Sequence, residues 1–400
     1  MIMRLSLILL LLTLPLSAER MDTPSVTRGR AVTTAANLFP GCAGSRVTAL
    51  GTIKGTDNTQ WTVPAETQFT SGPRLKDLYN QCSGVMPANI NAVNIDAVPV
   101  QVIDSSGEVI TGFLLGDNYF EFSVNDRLLG VDPVPYTPFN SAVVRFKVKR
   151  PYTIAVKLVD WEENLGLGTE NNNGNPYHPG DGGFIAQFSD GTVTNDTWKA
   201  QTFYIAPLES TASVVTLPDG TRSSASASVK PGCADSCYAV HYPLPTAWSS
   251  PSFDDSSWPQ ASVYTAQTVG VNFPAYMNFT GVWNNAQFIW SSNLILDNLV
   301  CLRTTVGGTT GVEDTPWHDD ARSTIHVSAT RNTLECVSTC DMKHAMVRVF
   351  DLLGNIVATA RDVSFVAHVP VTLTASLPPG AYLIDVLDGL HASAGTVIVE

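Results

Sequence analysis

After its first 18 residues the chain has no apolar stretch near the ~20 residues that a membrane-spanning helix needs. Blocks of basic residues are also missing. Lys and Arg number 23 against 36 Asp and Glu, for a net charge of −13. That balance argues against nucleic acid and anionic membrane surfaces as partners. Helical periodicity is nearly absent, and no nucleophile with an identifiable base is apparent, so the sequence names no reaction. Hydrophobic residues make up 44%, which is ample for cores and excludes wholesale disorder.

Met1 to Ala18 has the parts of a secretory signal: Arg4, the apolar run Leu5–Leu12, and the small residues of Leu16-Ser17-Ala18. The expected location is therefore secreted or cell-surface, with no membrane span after signal cleavage. The length of the mature chain suits two or three domains. All seven cysteines lie within it. Cys233 with Cys237, Cys336 with Cys340, and Cys42 with Cys82 are candidate disulfides, which export makes chemically reasonable. Cys301 is left over as a buried thiol. Zinc is the rival use, but neither close pair has two-residue spacing and no histidine pair accompanies them.

Short β-branched and aromatic runs alternate with Gly, Pro, Asn and Asp turns, the pattern of sandwiches and barrels. Residues 97–104, Tyr119–Val124, Val143–Val148 and Thr153–Val159 alternate with a period of two, which sends one set of side chains to the core and the other to water. Asn125-Asp126 reads as a hairpin turn. The one helix expected is the short Pro73–Gln81 segment, where Leu75, Leu78 and Tyr79 share a helical face. Composition divides the chain into residues 1–18 (signal), 19–95 (a mixed N-terminal segment), 96–306 (a β-rich body), 307–323 (a Gly/Thr linker) and 324–400 (a second strand-rich unit).

Within the body, the polar loop from Asp160 to Gly183 is long enough to suggest a role. The ligand-binding candidates are Trp161, Glu162, Glu163, Tyr177, His178 and Asp181. Aromatic faces stack on a pyranose while carboxylates bind its hydroxyls. The same oxygens suit a structural Ca²⁺, and a carboxylate pair at the right separation serves glycoside hydrolysis. A self-satisfied loop is the fourth reading, and all four stay open. No catalytic residue, cofactor or catalytic metal is assigned.

Two family resemblances add to this. Phe253-Asp254-Asp255-Ser256-Ser257-Trp258, Ile289-Trp290, Asn298–Arg303 and Asp117–Asp126 resemble the galactose-binding-like β-sandwich domains appended to bacterial glycosidases and carbohydrate esterases. Here Asn125-Asp126 stands where those domains usually carry asparagine-glycine. The resemblance implies a jelly-roll sandwich that binds sugars at one end or packs on a catalytic partner, with Trp258 and Trp290 in its core. Further on, Asp351-Leu352-Leu353-Gly354, the run Leu377-Pro378-Pro379-Gly380-Ala381-Tyr382 and the final valine-rich strand resemble the C-terminal sorting domain of the type IX secretion system of Bacteroidetes-like bacteria. That implies a small Ig-like sandwich and an outer-membrane secretion machinery as partner.

The expectation is thus an all-β protein: a galactose-binding-like jelly-roll sandwich, then an Ig-like C-terminal sandwich. Its expected function is non-catalytic binding of a carbohydrate or other extracellular ligand. The alternatives are a secreted hydrolase of glycans or their esters, and a purely structural adhesion protein.

Overall fold

The computed structural model describes residues 23–40, 42–172, 174–227, 234–283, 285–307, 325–330, 333–339, 341–351, 356–387 and 392–399. Residues 1–22, which include the expected signal, together with Cys233, Cys340 and nearly all of the expected Gly/Thr linker, lie outside the described residues. The chain divides into two compact units between Gly308 and Thr309.

The first unit is an all-β sandwich. One sheet runs in the order Ser25–Arg28, Tyr238–His241, Lys199–Leu208, Asp297–Val306, Tyr152–Val159, Tyr119–Val124, Arg127–Val131. The other runs Ser262–Tyr264, Phe288–Trp290, Gly183–Phe188, Glu108–Asp117, Ser141–Val148, Lys76–Tyr79. All these neighbours are antiparallel; Val100–Val102 adds one parallel pairing to Ser141–Val148. Period-two side chains from the two sheets meet in an aromatic core, where Phe120 packs on Phe184 at 5.6 Å and Phe122 on Phe188 at 5.9 Å. Asn125 and Asp126 take φ of 50° and 66° and close a two-residue hairpin between Val124 and Arg127.

The alternating strands differ from expectation in one respect: their polar face is covered too. Lys157 and Glu121, directly opposite each other, form a 2.8 Å ion pair with little solvent contact. Residues of the N-terminal segment close over it. The Gln68 amide donates to Glu121, and Lys157 donates to the Glu66 carbonyl. Residues 23–95 are therefore no separate body. Their first strand extends the first sheet, and Val32–Ala35, Leu50–Lys54 and Gln60–Val63 form a small three-stranded sheet of their own. Cys42 and Cys82 are joined, with Cα atoms 5.2 Å apart.

Two expectations are corrected. The segment expected as a helix over Pro73–Gln81 holds the strand Lys76–Tyr79, paired with Ser141–Val143 at the sheet edge. Leu75, Leu78 and Tyr79 are buried as expected, but nine residues fit either period, and the available sheet edge decides. The Cys336–Cys340 bridge is the second, because Cys336 is a free, buried thiol. Its strand, Thr333–Ser338, turns it into the core and carries the chain away at about 3.3 Å per residue. Cys301 is also free and buried, and Cys237 is disulfide-bonded.

The second unit is a smaller all-β sandwich. It has a three-stranded sheet (Ile325–Ala329, Thr333–Ser338, Pro370–Thr374) and a four-stranded one (Ile356–Phe365, Met342–Phe350, Gly380–Leu387, Ala392–Val399). Leu334 and Cys336 from the first meet Val347 and Ile384 from the second in one core.

Candidate functional site

The Asp160–Gly183 loop leaves the strand Tyr152–Val159 of one sheet and enters Gly183–Phe188 of the other, so it closes one end of the first sandwich. Its first half folds inward. The Trp161 amide donates to the Asn118 side chain, and the indole, 1% exposed, packs edge-on against Tyr119 at 5.7 Å. Glu162 is 2% exposed. Its carboxylate accepts hydrogen bonds from the amides of Gly166 and Gly168 and from the Tyr204 hydroxyl. Gly168 is obligatory there: φ is +56°, and a Cβ would stand 2.6 Å from the Ala206 carbonyl oxygen. Glu163 accepts from the amides of Asn171 and Asn172 at 2.6 and 3.1 Å.

The second half is an irregular hairpin in which Glu170 and His178 exchange backbone hydrogen bonds. Glu170 anchors it through Arg46 (2.7 Å) and Tyr136, residues that sequence reading did not single out. The His178 Nε2 lies 3.5 Å from the other Glu170 oxygen, while its Nδ1 meets the Pro176 carbonyl at 2.9 Å. Behind this hairpin sits a set of mutually repelling carboxyls. Burial first, then neighbouring carboxylates, holds Asp117 and Asp160 well above the usual carboxylate range. Burial and Glu170 push Asp181 up to about 6, against the pull of His178.

Of the six residues expected to touch a ligand, Trp161 and Glu162 are enclosed and serve as scaffold. Glu163 is committed to two backbone amides. Tyr177, 39% exposed, and the partly exposed His178 and Asp181 stand at the rim. The carboxylates of Glu162 and Glu163 thus point to different backbone donors instead of converging on a cation. Among the described residues no group of three or more His, Cys, Asp or Glu is arranged to hold a metal ion.

From the rim, Tyr177 leads to a feature that sequence reading missed. Its ring lies 5.8 Å from the Arg30 guanidinium. Arg30 lines an open groove of about 370 Å³ on the small three-stranded sheet, together with Val32, Thr52, Lys54, Asn58 and Gln60. The sheet forms because polar and apolar residues alternate on either side of the tight turn Gly55–Thr59, where the Gly55 amide donates to the Thr59 carbonyl. Lys54 and Gln60 are directly paired and so stand on one face. Asp57, within that turn, is turned to Ser25 and Thr59, and those donors lower its pKa. The alternation in Leu50–Lys54 and Gln60–Val63 was the available signal.

No family model and no curated protein matches the chain. Among solved structures it is similar to a β-glucuronidase of Faecalibacterium prausnitzii (11% identity, TM-score 0.15, 95% of this chain and 45% of that one). It is also similar to a β-D-glucuronidase of Dictyoglomus thermophilum (9% identity, TM-score 0.13, 94% and 43%) and to the BSP domain of a biofilm-associated protein (10% identity, TM-score 0.16, 96% and 67%). The chain spans less than half the length of the two glucuronidases.

Proposed function

We propose that this protein is an exported, non-catalytic binder of carbohydrate. The observation that carries the reading is the groove beside Tyr177. It is lined by a hydroxyl, two amides and two cationic side chains, and an exposed aromatic face lies at its border. Hydroxyl and amide groups match sugar hydroxyls, and an aromatic face suits the apolar face of a pyranose. The hydrolase alternative would have to use Asp181 at the rim, because Asp160 and Glu162 are buried and Glu163 is bound to two backbone amides.

Export rests on the signal-like Met1–Ala18 segment, and the Cys42–Cys82 bridge is compatible with it. In this reading the galactose-binding-like resemblance describes the first sandwich. The second is an address for type IX secretion, resting on the Leu377–Tyr382 run and the closing strand. A glycan array probed with the chain lacking its first 18 residues tests the binding. Selective signals that fall in Tyr177→Ala and Gln60→Ala support it, and silence across the array overturns it.

A further inference from the structure

We infer that the groove on the three-stranded sheet selects anionic saccharides, those carrying a carboxylate or a sulfate. This rests on the carbohydrate reading above and specifies its ligand class. The chain carries a net charge of −13, yet no carboxylate lines this groove, and two cations do. Lys54 has no ion pair or hydrogen bond among the described residues, so its ammonium is free for a ligand. Arg30 pairs through Nε with Asp235, a contact in which both side chains are at least half exposed. Its Nη groups have no hydrogen-bond partner among the described residues.

The groove therefore offers a planar fork and a point charge. A guanidinium presents parallel N–H groups that match carboxylate and sulfate oxygens, and a lysine adds an undirected cation. Neither is needed to hold a neutral sugar. Thr52, Asn58 and Gln60 supply the neutral partners for ring hydroxyls, and Lys54 stands beside Gln60 on the same face. The volume, about 370 Å³, falls at the lower end of ligand sites, roughly 300–1,000 Å³. Charge complementarity of this exposed kind weakens with added salt.

The test is calorimetric titration of the full chain with three soluble probes of matched length: a uronic-acid oligosaccharide, a sulfated oligosaccharide and a neutral one. The expected result is tighter binding of at least one anionic probe than of the neutral probe. That preference should weaken at high salt and fall about tenfold in Lys54→Gln and in Arg30→Gln. The uronate and sulfate arms tell the two anionic groups apart. Both positions are solvent-facing, so unchanged melting temperatures should accompany the loss. Equal affinity for neutral and anionic probes, or unchanged affinity in both variants, overturns the inference and leaves carbohydrate binding standing. If no probe binds and the array is also silent, the carbohydrate reading falls with it.

Discussion

Arg303, 1% exposed, donates from Nε to the Asp255 carboxylate at 2.7 Å. Its Nη groups reach the carbonyls of Trp248 and Ser250. One strand residue thereby holds the whole Ser252–Trp258 turn against the first sheet. Trp258 completes the staple, edge-on to Phe203 at 5.7 Å and to Phe253 at 5.5 Å. Arg303→Ala would leave a buried carbonyl set and a carboxylate without their donor. The expected loss is about 3–5 kcal/mol in urea unfolding. Arg303→Lys should recover little, because a compact ammonium lacks the planar fork whose separate nitrogens reach Asp255, Trp248 and Ser250. A loss under about 1 kcal/mol in the alanine variant would remove the staple role.

Glu162 separates scaffold from ligand contact. In Glu162→Ala the amides of Gly166 and Gly168 and the Tyr204 hydroxyl lose their acceptor. A cost of about 3 kcal/mol is expected. Glu162→Gln keeps one acceptor oxygen but turns an NH2 group toward a buried donor, so it should cost less than the alanine variant, about 1–2 kcal/mol. Glycan affinity measured on the folded glutamine variant should be unchanged. A large affinity loss there, at normal stability, would return Glu162 to the binding surface.

The strands and the hairpin at Asn125-Asp126 were legible in the sequence because a period of two survives whatever covers the sheet. The covering residues were not. Lys157 and Glu121 read as solvent-facing, and only the fold brings Glu66 and Gln68 over them. The loop Asp160–Gly183 was legible as a feature, since its Gly and Asn content marks turns. Its inward turn was not, because Trp161 and Glu162 are residues that serve equally well as ligand contacts or as scaffold. The groove went unread for a related reason. Its residues come from a turn, three strands of four or five residues and Arg30 just before the first of them, in a segment of mixed composition.

The Cys42–Cys82 bridge closes a loop spanning 40 positions. Loop-closure entropy predicts that Cys42→Ser with Cys82→Ser costs about 2–4 kcal/mol. Arg46, four residues from Cys42, carries the ion pair to Glu170 that anchors the rim hairpin. Reduction should therefore lower the melting temperature and increase amide exchange around Glu170 and His178. Exchange unchanged there would show that Arg46 holds its place without the bridge.

Acid titration supplies the last prediction. Burial raises Glu162 and Asp297 to about 7 and Asp181 to about 6, and lifts Asp117, Asp132 and Asp160 as well. For each of these the folded state keeps a proton that the unfolded chain releases near pH 4. Their contribution is therefore fully present below about pH 4 and is lost as pH rises through the folded value of each, about 6 for Asp181 and about 7 for Glu162 and Asp297. His241 opposes this. It is stacked between Trp61 and Tyr204, and burial lowers its pKa to about 3. The unfolded histidine binds a proton near pH 6.5, so its contribution is complete above that value and is lost on acidification. Above pH 6.5 the histidine is silent and the carboxyls still titrate. The melting temperature should consequently fall between about pH 6.5 and 8, where Asp297→Asn and Glu162→Gln should each flatten the slope. A melting temperature that rises over this interval in the parent protein would contradict the burial of these carboxyls.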